Sequence, residues 1–168
     1  MPLKMRHRAS VIAAVVIIGT LAEAIVSPKP LLIWNVTASA PLGLYRRSNG
    51  PVSPQDWVLI YAPDAARTLA AVRHYIPRNV PMVKRIAGLP GDTICRAGGL
   101  VRVNGTIRAV ALNHDHLGRS LPHWSGCQRL RGDQVFVLTK PAMSFDGRYF
   151  GPTAKANLIE RIEPVWTY

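Results

Sequence analysis

Met82-Val83-Lys84-Arg85-Ile86-Ala87-Gly88-Leu89, closed by Pro90-Gly91-Asp92, is an apolar run that carries one lysine and stops at a turn signal. Branched and aliphatic residues bounded by Gly, Pro and Asp read as a β-strand. The same reading extends outward to Trp57–Pro63 (WVLIYAP), Gly99–Ile107 (GLVRVNGTI) and Asp133–Thr139 (DQVFVLT). Within Gly99–Ile107, Asn104-Gly105 supplies the positive φ angles of a type I′ turn and predicts a hairpin. These strands predict a mainly β, antiparallel domain. Residues 64–75 (DAARTLAAVRHY) open on an Asp and continue with alanine-rich helical spacing, so one short helix interrupts the sheet; a second is expected near Thr153–Ile159.

A chain of 168 residues, 48% of them hydrophobic, suits one folded unit with a core of its own. Its 14 prolines and 13 glycines are scattered, which argues for strands and turns rather than for a linker or tail. The net charge of +12 invites a nucleic-acid partner. The cations are nevertheless spread along the chain and are not interleaved with aromatics as a base-stacking surface requires, so no nucleic acid is expected. Anionic lipid headgroups are the better counter-charge.

Residues 11–22 (VIAAVVIIGTLA) form an apolar run that extends to Val26 across Glu23 and follows Lys4, Arg6, His7 and Arg8. The cations at the start outnumber Lys29 on the other flank, so the positive-inside rule places residues 1–9 in the cytoplasm as a tail. Residues 10–27 then form a transmembrane anchor or a signal helix, and residues 28–168 an extracytoplasmic domain. The uninterrupted run is short of the roughly 17–25 residues of a span. Ala22-Glu23-Ala24 also reads as a small-x-small cleavage site, so a removed signal peptide competes with a retained anchor. The expected location is the inner membrane with the working domain in the periplasm, or the soluble periplasm after cleavage.

Export to an oxidising space permits Cys95 and Cys127 to pair, closing a loop worth about 3–4 kcal/mol. Two buried thiols are the alternative. A metal set of His114, His116, His123 and Cys127 is disfavoured, because a disulfide removes the thiol and the histidines lie in a Gly/Pro/Ser-rich loop. No metal and no cofactor is expected.

The chemistry-bearing pair is Ser39, in Asn35–Tyr45 (NVTASAPLGLY), and Lys84. A serine hydroxyl is a poor nucleophile at neutral pH, but a neutral lysine can take its proton once burial has lowered the lysine pKa from about 10.4. Either residue alone reads as a turn serine or a solvent-seeking lysine. Val83 and Ile86 are compatible with a desolvated amine.

Four blocks in order, Thr37-Ala38-Ser39-Ala40-Pro41, Gln55-Asp56-Trp57-Val58, Lys84–Asp92 and Ser144–Gly151 (SFDGRYFG), resemble the signal peptidase I superfamily of Ser/Lys endopeptidases. Gly43-Leu44-Tyr45 and the compact segment between Lys84 and Ser144 resemble its short TraF-type conjugative-transfer branch. The resemblance implies a barrel-like signal-peptidase fold in which Ser39 forms an acyl-enzyme and Lys84 is the general base. It implies Thr37 as an oxyanion-hole donor, Ser144 as the hydroxyl that directs the lysine, and Asp146 with Arg148 as a supporting ion pair. Gly88, Pro90 and Gly91 are expected to form a turn that a Cβ would resist, and Asp92 and Asp133 to be turn acceptors. Three positions depart from the family pattern. Ala40 replaces a common methionine, a change expected at the substrate-facing edge. Gln55 replaces a usual glycine, and Gly147 stands where the family often has a second serine.

The implied partners are a signal-bearing or pilin precursor with small side chains before the cut, and membrane lipid. Conjugative pilin maturation, with cyclisation as one outcome, follows from the TraF-type branch. General type I signal peptidase activity and a non-catalytic membrane-tethered β domain of a secretion or conjugation apparatus are the alternatives.

Overall fold

A computed structural model describes residues 12–15, 17 and 30–168. The chain divides into two compact units, Met1–Leu31 and Leu32–Tyr168. In the first, residues 12–15 and 17 are helical; the rest of the expected anchor or signal segment 10–27 lies outside the described residues. Among the described residues no helix is long and apolar enough to cross a membrane.

The second unit is built on antiparallel strands. They are β1 (Leu32–Asn35), β2 (Gly43–Ser48), β3 (Trp57–Ile60), β4 (Met82–Gly88), β5 (Thr93–Ala97), β6 (Leu100–Val103), β7 (Thr106–Val110), β8 (Gly126–Arg129), β9 (Gln134–Leu138), β10 (Thr153–Ala154) and β11 (Leu158–Thr167). Seven form an open sheet in the order β1-β2-β11-β3-β4-β9-β10, and four a smaller one in the order β7-β6-β5-β8. The mainly β, antiparallel expectation therefore holds.

The four strands first read from the sequence all form. β3, β4 and β9 lie side by side, and the Gly99–Ile107 run becomes the β6–β7 hairpin with Asn104 at φ 50° and Gly105 at φ 79°. Alternation along β9 joins the two sheets. Phe136 and Leu138 pack with Ile94, Val101 and Val103 of the small sheet, while Val135 and Val137 pack with Val58, Ile60 and Ile86. Strands covered on both faces need apolar residues at successive positions, which is why β9 reads as an unbroken hydrophobic run.

Helix α1 spans Asp64–Val72, three residues shorter than expected. His74 turns left-handed at φ 59°, and the amides of His74 and Tyr75 donate back to Ala71 O (3.1 Å) and Ala70 O (2.8 Å), a Schellman stop. The helix expected near Thr153–Ile159 does not form. Thr153 and Ala154 pair with β9, Lys155–Asn157 make a single 3-10 turn, and Leu158 already begins β11. The second helix lies earlier, as the one-turn α2 (Gly147–Phe150).

Gln55 adopts φ 71°, the left-handed conformation for which glycine is the usual residue, and its amide donates to Ile86 O (2.9 Å). Ala40 is buried among Tyr45, Leu59, Val83 and Ile162. It faces the core and not the substrate edge, which corrects the expectation from sequence.

Candidate active site

Lys84 sits mid-strand in β4, opposite Val58 of β3, with only 2% of its surface exposed. Alternation puts it on the same face as Met82 and Ile86. A cation there has no water to solvate it, so its neutral form is favoured. Burial lowers the amine's pKa from 10.5 to about 8; Asp146 opposes that shift and Arg148 adds to it.

The amine donates to Ser144 Oγ (2.8 Å), which also accepts from Thr139 Oγ1 (2.5 Å). Behind them lies a fully buried ion pair. Arg148 Nε and Nη2 donate to the two oxygens of Asp146 (2.8 and 3.0 Å), and Asp146 caps α2 by accepting from the Arg148 amide (3.1 Å). Asp146 Oδ2 accepts from the Thr139 amide (3.0 Å), and Arg148 also donates to Thr139 O. Removing one partner of such a pair strands the other charge and costs about 3–5 kcal/mol. The pair holds the end of β9 against the Ser144 turn, and so sets where Ser144 meets the lysine.

Ser39 lies half-buried in the loop between β1 and β2. It shares with Thr37, Lys84 and Ser144 the wall of a cavity of about 540 Å³, whose other walls include Ile76, Met82, Phe145 and Tyr149. Among the described residues, Ser39 Oγ has its hydrogen bond with Thr37 Oγ1 (3.3 Å), while Lys84 has its own with Ser144. The structure thus brings Ser39, Thr37, Lys84 and Ser144 to one cavity, with Asp146 and Arg148 directly behind it.

Residues to which sequence reasoning gave no role complete this arrangement. Asn35 is buried and binds the Ser39 loop through both ends of its amide; its place before a turn is an Asx signal. Thr139 ends a run that reads only as a strand. Asp115 pins the far wall of the cavity, accepting from Leu117 N (2.9 Å), Arg119 N (2.9 Å), Arg119 Nε (2.7 Å) and the Tyr75 hydroxyl. Burial pushes its carboxyl up, and the hydrogen bonds from Tyr75, Arg119 and Leu117 pull it down further, leaving it well below the usual carboxylate range.

Cys95 and Cys127 are bonded, face to face across β5 and β8 with Cα atoms 4.0 Å apart. The bond takes Cys127 out of any metal set, and His114 and His116 line the cavity instead. The turn after β4 uses Gly91 at φ 94°, and a Cβ at Gly88 would meet Leu130 Cδ1 at 3.0 Å. Asp92 accepts from the Leu89 amide (2.7 Å) and Asn104 Nδ2 (2.8 Å), as a turn acceptor should.

Residues 4–167 match the family described as signal peptidase, peptidase S26. The chain is 32% identical to the plasmid transfer protein TraF of Escherichia coli, over 80% of this chain and 82% of that protein. It is 31% identical to the conjugal transfer protein TraF of Agrobacterium tumefaciens (strain 15955), over 98% of this chain and 99% of that one. A crystal structure of a signal peptidase I from Enterococcus faecalis V583 aligns with a TM-score of 0.39 at 21% identity, covering 68% of this chain and 98% of the other. With nearly the whole chain matched by one family and relatives of similar length throughout, the chain belongs to the signal peptidase I superfamily, peptidase S26, and is of the TraF type.

Proposed function

We propose that the protein is a membrane-associated serine endopeptidase that cleaves exported precursor proteins with Ser39 as nucleophile and Lys84 as general base. The observation that carries this reading is a lysine amine, buried and brought down to about pKa 8, on the same cavity wall as the serine. Ser39 Oγ attacks the scissile carbonyl carbon while its proton passes to the neutral Lys84 Nζ. One N–H of that amine is committed to Ser144, which leaves the lone pair for the serine proton. A turn of the Ser39 side chain away from Thr37 brings the hydroxyl to the amine; such contacts tighten when substrate binds. The tetrahedral oxyanion takes hydrogen bonds from the Ser39 amide and the Thr37 hydroxyl. Its collapse expels the amine, which receives the proton from Lys84, and the acyl-enzyme is released by water or by a peptide amine. The second route yields a cyclic product.

The signal-peptidase family supports precursor proteins as substrates, and the likeness to plasmid and conjugal transfer proteins supports a role in conjugation, for which a pilin precursor is the substrate proposed here. An extended substrate segment beside the Ser39 loop gains main-chain hydrogen bonds, as in β-strand addition. The membrane partner is supported by Trp34, Trp166 and Tyr168, all exposed, with ring centroids 5.9 and 5.1 Å apart. They flank the Ser39 loop, since Trp166 pairs with Leu44 and the Tyr168 amide donates to Leu42 O (3.1 Å). Aromatic side chains of this kind favour the membrane interface. Residues 1–9 as a cytoplasmic tail, 10–27 as an anchor or signal and 28–168 as the periplasmic peptidase complete the proposal.

Ser39→Ala tests it. Incubated with a pilin precursor in membranes, the variant is expected to leave the precursor uncut while keeping its circular dichroism spectrum and unfolding midpoint. Processing at the wild-type rate removes Ser39 from the mechanism and favours a non-catalytic assembly role.

A further inference from the structure

The Ser39 loop is held by one side chain that the mechanism above does not use. Asn35 closes β1, is 5% exposed, and places both ends of its amide against the loop that follows. Its Nδ2 has two hydrogens for three carbonyls, those of Thr37 (3.0 Å), Ala40 (3.2 Å) and Pro41 (2.9 Å), so one N–H is shared between two of them. Its Oδ1 accepts from the Thr37 amide (3.2 Å) and from Thr37 Oγ1 (2.9 Å). The partners fix which end is which: turned over, the amide oxygen would face three carbonyls and the amide nitrogen a backbone N–H.

One consequence concerns protons. A threonine hydroxyl has a single proton to give, and here it goes to Asn35 Oδ1. Across the 3.3 Å contact between Thr37 Oγ1 and Ser39 Oγ, the serine must therefore be the donor. In the resting state the serine proton points at Thr37 and the Thr37 proton at Asn35, so neither is where catalysis requires it.

We infer that Asn35 is a positioning residue that holds the Thr37 hydroxyl proton in the resting enzyme and yields it to the oxyanion as Ser39 attacks. This rests on the serine-peptidase reading of the site. Once the Ser39 hydroxyl turns to Lys84, Thr37 Oγ1 has lost its donor, and as the serine proton passes to the amine the substrate oxygen gains negative charge. The Thr37 O–H then turns from a neutral amide oxygen to that anion, because a charge-assisted hydrogen bond is about twice as strong as a neutral one. No covalent bond of Thr37 breaks; only its hydrogen bond is redirected. Meanwhile the bonds from Nδ2 to the carbonyls of 37, 40 and 41 persist, so the loop keeps its shape while one proton changes direction. A carboxylate at position 35 would serve badly. It would grip the Thr37 proton harder, repel the three carbonyls, and oppose the oxyanion.

The test has a kinetic and a structural arm on the full chain. With an internally quenched peptide spanning a pilin-precursor cleavage site, kcat and KM are measured for Thr37→Ser, Thr37→Val, Asn35→Asp and the Asn35→Asp/Thr37→Val double variant. Thr37→Ser keeps the hydroxyl and is expected within about threefold of wild type, whereas Thr37→Val and Asn35→Asp each lower kcat by roughly 10²-fold, the scale of one oxyanion donor, with KM little changed. The double variant is expected to be slower than Thr37→Val alone by much less than the Asn35→Asp penalty in the wild-type background, because the share of that penalty that runs through the hydroxyl is already removed. Penalties that multiply, an Asn35→Asp effect confined to KM, or wild-type kcat in Thr37→Val or in Asn35→Asp would overturn the inference. Should Asn35→Asp fail to fold, a crystal structure of the wild-type protein with a peptide boronate decides. The inference expects Thr37 Oγ1 on a boronate oxygen and released from Asn35; Thr37 still bound to Asn35 refutes it. Boronate that does not bond Ser39 refutes the peptidase reading instead.

Discussion

A buried lysine is costly when charged, and Lys84 shows what that cost does to its chemistry. Lys84 is only 2% exposed, and the carboxylate that acts on it, Asp146, is occupied by Arg148. Desolvation therefore outweighs the attraction of Asp146, and the pKa comes to about 8. In the proposed mechanism the base form of Lys84 is the neutral one, so activity is expected to rise with pH. With a pKa of about 8 roughly one amine in ten is neutral at pH 7 and nine in ten at pH 9. The expected result is a rise of about tenfold in kcat/KM on a peptide substrate between those values, half complete near pH 8. Replacement by arginine, which stays protonated throughout, is expected to abolish cleavage at every pH. A pH–rate profile that is flat from 7 to 9 would show that some other group accepts the serine proton.

At the scale of the element, α2 is the part most tightly specified by its neighbours. An ideal Cβ on Gly147 would lie 2.6 Å from Phe136 Cε2 and 2.7 Å from Val137 O, so β9 and α2 meet at a distance only glycine permits. Where the family often carries a second serine, this chain has filled the space with the Phe136 ring. Gly147→Ser is expected to force β9 and α2 apart and to cost about 1–3 kcal/mol, read as a lower midpoint in urea. Unchanged stability would mean that the Phe136 ring moves aside freely. Sequence was informative where one strand's own residues carry the signal: the Lys84 strand and the Asn104-Gly105 hairpin declare themselves within a few positions, whereas the Asp146–Arg148 pair followed only from the family resemblance. It failed where distant segments decide. The 153–159 stretch has helical spacing, but pairing of Thr153 with Val135 and of Leu158 with Ile60 leaves it only one 3-10 turn. Similarly, no local pattern shows that the Asn35 amide will find the carbonyls of residues 40 and 41, because those contacts exist only once the loop has closed.

Across the whole second unit, chemistry and cross-link lie in different sheets. Lys84 is in the seven-stranded sheet, Ser39 follows its edge strand β1, and Ser144 follows β9. Cys95 and Cys127 tie β5 to β8 in the four-stranded one. The contacts between the sheets include the apolar layer of Ile94, Val101 and Val103 on Phe136 and Leu138, buried Arg96, beside Cys95, which donates to Arg148 O at 2.7 Å, and Arg148 Nη1, which donates to Val110 O at 3.4 Å. None of these passes through sulfur. The disulfide does enclose the 112–121 wall of the cavity, but that wall has its own pin in Asp115, which reaches outside the loop to Tyr75. Cutting the cross-link should then release chain entropy in the unfolded state without moving Ser39, Lys84 or Ser144. For Cys95→Ser/Cys127→Ser the expected loss is about 3–4 kcal/mol of unfolding free energy, given the 32-residue separation of the cysteines. Cleavage by the folded fraction should stay within about threefold of wild type, because the groups doing the chemistry keep their burial and partners. A fall in kcat comparable with that of Ser39→Ala, in protein shown to be folded, would mean that the small sheet holds Arg148 in place and reaches the lysine through it.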